Sequence, residues 1–271
     1  MGKIANIYSK LVKKTIDYTS FEKKELRRIK RIPRYQMGQT KLFGFDFTFI
    51  DSASFVAQYL ELFIKKANNF KVESLQPYII DCGSNIGVSI LFFKKIYPNA
   101  EIIAFEADKN VFTVLKKNIE NSNYNGITLY NKGVWNKEGS IFFNEEGADG
   151  GSIQERKDED ETSNKYVEIF TTSLRNYLNQ KVDFLKIDIE GAESTVLQDC
   201  DDLLTNVDRI FIEYHSQINH RQELDSILDI LTRNSFRYYI QSETIFNAQP
   251  FVEKRSLNNY DNLVCIYANR N

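Results

Sequence analysis

The sequence has little of several features that mark particular protein classes. Its 271 residues include only three cysteines, Cys82, Cys200 and Cys265, which are widely spaced and form no CxxC pair. No apolar run approaches the roughly 18 residues that a membrane span requires. The first residues also lack the apolar core of a signal peptide. We therefore expect no disulfide framework, no transmembrane segment and a reducing, cytoplasmic compartment.

The net charge of the chain is also small, but its positive and negative charges are unevenly distributed along the sequence. The formal net charge is −2, and 42% of the residues are hydrophobic and 27% charged, which is typical of globular domains rather than disordered chains. Residues 1–41 nevertheless carry a net charge of +9, so the remainder carries −11. An acidic main body suits a cationic ligand and opposes binding to a nucleic-acid backbone. The basic arm is where a phosphorylated acceptor, or a second subunit of a homo-oligomer, would be expected to bind.

From Pro77 onward, short apolar strands alternate with amphipathic helices. This alternation predicts a mostly parallel sheet with helices on both faces. Only a loop separates the last two strands, so we expect an antiparallel pair at one edge. An inserted β segment is expected at 140–143 and 167–170, on either side of a polar loop. The strands of the main sheet are predicted at 78–80, 102–105, 127–130, 182–187, 209–212, 238–240 and 263–267.

Residues 1–76 are predicted to form a basic extension with helices and β-structure. Stripes of apolar residues at helical spacing predict its helices, and an aromatic-rich segment with partial alternation predicts a strand or hairpin. We therefore divide the chain into this extension and a main domain at 77–271. Within the extension, helices are expected at 4–16 and 55–63, a strand or hairpin at 41–50 and a very basic stretch at 23–34.

The segment 81–87 reads DCGSNIG and follows a buried strand. Gly83 allows a sharp turn, and Gly87 allows the next helix to approach closely. The G-x-x-x-G spacing differs from the G-x-G-x-x-G of dinucleotide-binding folds, and Asp81 would repel a pyrophosphate. The next strand ends at Glu106, a carboxylate that can accept hydrogen bonds from ribose hydroxyls. Together these features favour a cationic adenosine cofactor, S-adenosylmethionine.

Acidic residues gather at the ends of two later strands. The fourth strand of the main domain runs into Asp188, Glu190 and Glu193, and the fifth leads into Glu213 and His215, one of only two histidines. The carboxyl ends of parallel strands meet at one edge of a sheet, where ligands bind. We expect Glu193 merely to begin the next helix, because a negative charge suits a helix N-terminus.

Four motifs together resemble the FkbM family of S-adenosylmethionine-dependent methyltransferases. They are DCGSNIG (81–87), FEAD (105–108), LKIDIEGAE (185–193) and IEYH (212–215), and the resemblance spans about residues 77–268. It implies an α/β class I methyltransferase fold. This fold is a Rossmann-like, seven-stranded, mostly parallel sheet with an antiparallel edge strand and helices on both faces. It also implies O-methylation of a sugar or a related metabolite.

By position, the resemblance also implies roles for individual residues; it implies none for residues 1–76. The residues implied for the cofactor are Asp81, Gly83, Asn85 and Gly87 around its methionine part, Glu106 at the ribose, Asn131 and Gly133 near the adenine, and also Ser84 and Ala107. The residues implied for the acceptor side are Asp188, which also borders the cofactor, Glu190, Glu213 and His215.

The chemistry at the acceptor side has two versions. In the first, His215 removes the proton of an acceptor hydroxyl, because its ordinary pKa suits general-base catalysis near neutral pH. Asp188 or Glu213 would then orient the imidazole or bind the acceptor. In the second, these three residues hold Mg²⁺ or Mn²⁺, since such ions favour oxygen ligands and accept an imidazole. We rank the metal-free version first.

We therefore expect an O-methyltransferase that acts on a sugar or nucleotide sugar in polysaccharide or natural-product biosynthesis. The alternatives are a non-catalytic module that binds the cofactor and a methyltransferase for a non-sugar small molecule. A nucleic-acid methyltransferase is disfavoured, because Asp188 is followed by Ile-Glu-Gly rather than Pro-Pro-aromatic and no proline precedes a cysteine. A nicotinamide dehydrogenase is disfavoured by Asp81 and the glycine spacing.

Overall fold

Side chains at the helix ends set the bounds of several helices. The Thr19 hydroxyl accepts the Glu22 N–H, and the Glu22 carboxylate accepts the Thr19 N–H in return, a capping box that starts the first described helix. Asp108 starts a later helix by accepting two backbone N–H groups, and Asn123 ends it in the left-handed conformation. Polar residues with these capabilities therefore mark where helices begin and end.

The computed structural model describes residues 19–144, 152–153, 166–218, 220–242, 251–252 and 260–270, so the helix predicted over 4–16 lies outside the described residues. The helices are α1 (Ser20–Ile29), α2 (Ser52–Tyr59), α3 (Val88–Ile96), α4 (Lys109–Ser122), α5 (Glu193–Asp199) and α6 (Leu224–Arg233), and a π-helical turn (Leu60–Lys65) follows α2. The strands are β1 (Gly38–Thr40), β2 (Phe47–Phe49), β3 (Tyr78–Cys82), β4 (Glu101–Phe105), β5 (Ile127–Tyr130), β6 (Gly133–Trp135), β7 (Gly139–Asn144), β8 (Ser152–Ile153), β9 (Tyr166–Ser173), β10 (Phe184–Ile187), β11 (Arg209–Gln217), β12 (Arg237–Ser242) and β13 (Tyr260–Asn269).

The main sheet has seven strands in the order β12-β13-β11-β10-β3-β4-β5. Neighbouring strands from β11 to β5 are parallel, whereas β13 is antiparallel to both β11 and β12. The strand that opposes the others is thus second from the edge, with β12 outside it. This is the class I methyltransferase arrangement implied by the motifs, and all seven predicted strands are confirmed.

Strand β3 lies where the strand order reverses. The chain builds β3, β4 and β5 outward in one direction and then returns to place β10 on the other side of β3. Ligands of open α/β sheets bind at this switch point, outside the carboxyl ends of the strands. We therefore expect a ligand site at the residues that follow β3 and β10.

A second, four-stranded sheet has the order β6-β9-β7-β8. Its antiparallel pair β7–β9 confirms the inserted β segment predicted at 140–143 and 167–170. Strand β6 is not predicted from the sequence; it has three residues and pairs in parallel with β9. A strand this short carries no alternation from which it could be recognised.

Two hydrophobic cores lie on opposite faces of the main sheet. Successive residues of a strand face opposite sides, and accordingly Ile79 and Ile80 enter different clusters. The first cluster contains α3, α4 and the described part of the extension, and the second contains α5 and α6. The extension therefore shares a core with the main domain, and the division at residue 76 stays a prediction. No described helix has the length and hydropathy of a membrane span.

Candidate functional site

The loop after β3 lies against the residue that follows β10. Gly83 has φ +81°, and a Cβ atom placed there would lie 1.7 Å from the carbonyl oxygen of Asp188. Any other side chain would therefore collide with the backbone across the switch point. Glycine is required here by both its backbone conformation and this close approach, which brings the predicted cofactor loop beside the predicted acceptor residues.

The second motif glycine serves helix packing. Gly87 has φ +95° and immediately precedes α3, and a Cβ atom there would lie 2.8 Å from Leu115 Cδ1 on α4. Gly87 thus allows α4 to pack against the start of α3. Gly87 is buried, as are Ser84 and Gly133, and the predicted contact of these three residues with the cofactor stays a prediction.

Glu106 is the anchored carboxylate of the cofactor side. Its Oε2 accepts the N–H of Asn85 and its Oε1 accepts the N–H of Asp108, both at 2.9 Å. Burial raises the pKa of Glu106 to about 7, although the two backbone N–H groups act in the opposite direction. The residue is half-buried, and each carboxylate oxygen has a further lone pair with which to accept a hydroxyl.

Asn131 fixes the turn that carries Glu106. Its Nδ2 donates to the carbonyl oxygens of Glu106 at 2.9 Å and Ala107 at 3.1 Å. Asn131 and Ala107 are half-buried, and Ala107 lies close to Gly133, whose hypothetical Cβ would be 3.8 Å from Ala107 Cβ. The residues implied for the ribose and the adenine therefore lie together at the ends of β4 and β5.

Asp81, predicted to lie beside the sulfonium, is buried in an ion pair. It has no solvent-exposed surface, its Oδ2 accepts the Ser89 hydroxyl at 2.5 Å, and its Oδ1 lies 3.4 Å from Lys186 Nζ. The carboxylate therefore lies behind the surface of the cleft, and its predicted place beside the sulfonium stays a prediction. Burial raises the pKa of Asp81, and Lys186 and the hydroxyl donors oppose this.

Lys186 is a buried cation that connects the two sides of the site. Its Nζ donates to the Gly83 carbonyl and to Asp188 Oδ2, both at 2.9 Å. Burial by itself lowers the pKa of Lys186, but Asp188 and Asp81 outweigh burial and raise it above its ordinary value. The lysine therefore stays charged and holds the loop after β3 against the end of β10.

The acceptor-side residues surround one imidazole. Glu213 and His215 lie two residues apart on β11 and therefore on the same face of the strand. His215 Nε2 lies 3.4 Å from Glu190 Oε2 and 3.9 Å from Glu213 Oε1. His215 Nδ1 lies 3.0 Å from Glu193 Oε1. Glu190, Glu213 and Asp188 are half-buried, and His215 is buried.

Burial, together with the neighbouring charges, changes the pKa values of this cluster. Burial raises the pKa of Glu190 to about 8, with Asp188 contributing in the same direction. Burial and Asp188 also raise the pKa of Glu213 well above its ordinary range. Burial alone lowers the pKa of His215, but Glu190 and Glu193 more than reverse this and raise it well above 6.5. The cluster thus attracts positive charge, whether as protons or as a cation.

Three of these residues also have the geometry of a metal-binding set. One ligand atom each from Asp188, Glu213 and His215 lie within 4.8 Å of one another. Two carboxylates and an imidazole suit Mg²⁺ or Mn²⁺. The geometry is therefore compatible with both versions of the chemistry predicted from the sequence.

Several residues that build the site are not predicted from the sequence. Lys186, a charged residue inside the apolar strand FLKI, could have been recognised as half of a buried ion pair. Tyr260 donates its hydroxyl to Glu190 Oε2 at 2.7 Å, but it lies far along the chain and no motif marks it. Glu193 does begin α5, as predicted, yet it also contacts His215. Ser89 lies on α3, and no sequence motif predicts the hydrogen bond that its hydroxyl donates to Asp81.

A glycine loop and an anchored acid at the ends of β3 and β4, with an acid–histidine cluster at the ends of β10 and β11, are the features of a methyltransferase cleft. The family model described as the methyltransferase FkbM domain matches residues 81–238, more than half of the chain. This chain belongs to the FkbM methyltransferase family.

Individual relatives are more distant. Methyltransferase 1 of Beauveria bassiana is 28% identical over 163 residues, which cover 52% of this chain and 66% of that protein, slightly less than two thirds. The 2-O-methyltransferase NoeI of Sinorhizobium fredii is 25% identical over 182 residues, 59% of this chain and 73% of the relative. A crystal structure of a methyltransferase FkbM from Methylobacillus flagellatus matches with a TM-score of 0.49 and 18% identity, over 78% of this chain and 47% of that one.

Proposed function

We propose that this protein is an S-adenosylmethionine-dependent O-methyltransferase that acts on a hydroxyl of a sugar. The main support for the proposal is the close approach of Gly83 to Asp188, which leaves no room for a Cβ atom between Gly83 and the Asp188 carbonyl oxygen. Because of it, a loop suited to the cofactor directly adjoins a cluster suited to deprotonating an alcohol. Membership of the FkbM family supports methyl transfer. The name of NoeI, a 2-O-methyltransferase, supports oxygen as the acceptor atom.

Residues of the first two strand ends would hold the cofactor. Glu106 would accept the ribose hydroxyls, and Gly83 and Asn85 would lie along the methionine part, with Asn131 near the adenine. S-adenosylmethionine supplies a methyl group that its sulfonium has already activated. The task left to the protein is alignment of the acceptor oxygen with that methyl group, which can contribute several kcal/mol.

His215 would take the proton of the acceptor hydroxyl on Nε2, the ring nitrogen that faces Glu190 and Glu213. These carboxylates suit a hydroxyl-rich acceptor, because they accept hydrogen bonds from alcohols and favour the charged imidazole. Since neighbouring acids raise the pKa of His215 well above 6.5, the neutral base becomes available at alkaline pH. Turnover should therefore increase as the pH rises above neutral.

Calorimetry and activity measurements test the proposal together. We expect S-adenosylmethionine to bind and NAD not to bind, and mass spectrometry of candidate nucleotide sugars to detect a methylated product. His215→Ala should retain cofactor affinity and lose turnover by about 10²–10⁴-fold. His220→Ala, at the chain's other and exposed histidine, is the matched control. Binding of NAD alone, or unchanged turnover in His215→Ala, would contradict the proposal.

A metal-assisted version is favoured by the arrangement of Asp188, Glu213 and His215 within 4.8 Å. A divalent cation held there would acidify an acceptor hydroxyl. Activity in excess EDTA separates the two versions. Loss of turnover that Mg²⁺ or Mn²⁺ restores would support the metal-assisted version, and full turnover would support the histidine base acting alone.

The proposed function also includes a biosynthetic role and a cellular compartment. We infer a role in polysaccharide or natural-product biosynthesis in the cytoplasm, which is supported by three buried cysteines that form no disulfide. The basic extension would either attract the phosphates of a nucleotide sugar or form the contact of a homo-oligomer. Sedimentation of the full chain in low and high salt distinguishes these roles.

A further inference from the structure

Glu193 is the most deeply buried acid of the acceptor side. It is the first residue of α5 and has no solvent-exposed surface. Its Oε1 accepts the backbone N–H groups of Gly191 at 3.0 Å and Ile189 at 3.3 Å. The same oxygen lies 3.0 Å from His215 Nδ1. Because this oxygen already acts as an acceptor for two amides, the hydrogen of the third contact belongs to Nδ1.

This contact determines which nitrogen of His215 faces the cleft. With Nδ1–H committed to Glu193, Nε2 points toward Glu190 and Glu213. Flipping the ring would turn Nδ1 of His215 away from Glu193 and leave the buried Oε1 of Glu193 without its third donor. Removing a partner from a buried polar group is costly, so the orientation of the ring is fixed before an acceptor arrives.

We infer that Glu193 is the positioning residue of the site: it holds His215 so that Nε2 faces the acceptor hydroxyl. This inference rests on the proposed function, in which His215 takes the proton of the acceptor. Glu193 itself does not reach the acceptor, because it is fully buried. A carboxylate that holds a catalytic imidazole through Nδ1–H fixes both its orientation and its tautomer, and it stabilises the imidazolium that forms.

Nuclear magnetic resonance tests the contact without any methyl transfer. The chain has only two histidines, and His220 is exposed, so a slowly exchanging, downfield ring N–H resonance in full-length protein belongs to His215. We expect this resonance to disappear in Glu193→Ala and to move upfield in Glu193→Gln, whose oxygen still accepts. Ser194→Ala, which removes a neighbouring buried hydroxyl, should leave it in place. An unchanged resonance in Glu193→Ala would overturn the inference.

Kinetics separates positioning from a structural role. Glu193→Ala should lower kcat by about 10²-fold or more and leave KM for S-adenosylmethionine unchanged, with Glu193→Gln in between. In the His215→Ala background, Glu193→Ala should change kcat by less than about 2-fold, because the residue acts through the imidazole. If the fold-losses in kcat of the two single variants multiplied in the double variant, Glu193 would not act through His215 and the inference would be contradicted. Absence of methyl transfer by the wild type would instead contradict the proposed function, and it would leave the resonance test standing.

Discussion

The two sides of the cleft differ in how they balance negative charge. On the cofactor side, Asp81 is fully buried but lies beside the charged Lys186 and the hydroxyl of Ser89. On the acceptor side, the half-buried Glu190 and Glu213 lie 3.4 and 3.9 Å from Nε2 of His215. The fully buried ion pair holds the cleft together, whereas the half-buried carboxylates and the imidazole that they surround remain available for chemistry.

The largest expected effect comes from removing the paired cation. Lys186→Met would leave Asp81 buried without a countercharge, so we expect the free energy of unfolding to fall by about 3–5 kcal/mol. Urea denaturation measures it. Lys181→Met is the matched control, because Lys181 pairs with Asp208 but its side chain is 68% exposed, and we expect its loss to cost less than about 1 kcal/mol. Equal losses in the two variants would contradict a structural role for Lys186.

A smaller effect should follow from separating the two sides sterically. Gly83→Ala and Gly44→Ala both place a side chain at positive φ, +81° and +88° respectively, but only the Gly83 Cβ would meet another atom within 4 Å. The backbone strain of about 1–2 kcal/mol is common to both. We expect the collision with Asp188 to lower the free energy of unfolding of Gly83→Ala by a further amount of about 1–3 kcal/mol. Gly83→Ala should also bind the cofactor more weakly. Similar melting temperatures for the two variants would show that the loop can move away.

The same comparison explains how much could be predicted from the sequence. On the cofactor side, the glycines and Glu106 act through backbone conformation and strand position, which local motifs encode. The strands and their parallel order follow from alternation and the handedness of strand–helix–strand units. The motifs could not reveal that Asp81 faces inward, because that depends on Lys186, which arrives from a strand more than a hundred residues later.

On the acceptor side, the motifs contain the residues that the structure brings together, but not all of their partners. Asp188, Glu190, Glu213 and His215 lie within two motifs. The hydroxyl that binds Glu190 comes from Tyr260, outside both motifs, and the contact to His215 Nδ1 comes from Glu193, the last residue of the first motif. For Glu193 the prediction that it begins a helix is confirmed, but it was incomplete. One carboxylate can both begin a helix and bind an imidazole, and periodicity detects only the first role.

Removing Glu106 should separate the functions of the two sides. Hydrogen bonds to a charged acceptor contribute about 1.5–3 kcal/mol, so Glu106→Ala should weaken S-adenosylmethionine binding by about 10–100-fold in calorimetry. His215→Ala should leave that affinity unchanged while removing turnover. If both variants weakened cofactor binding equally, the division into a cofactor side and an acceptor side would be wrong.

The smallest effect we predict is a pH dependence of cofactor affinity. Burial raises the pKa of Glu106 to about 7, and the nearby carboxylate of Asp108 adds to this while Lys186 opposes it. The protonated carboxyl has lost acceptor capacity, so affinity for S-adenosylmethionine should rise as the pH increases from 6 to 8, by up to about 10-fold. Glu106→Gln, which stays neutral throughout, should bind weakly and with no change over this range. A pH dependence that persists in Glu106→Gln would assign it to the acceptor side, where the pKa of Glu190 is raised to about 8, and not to the ribose-binding carboxylate.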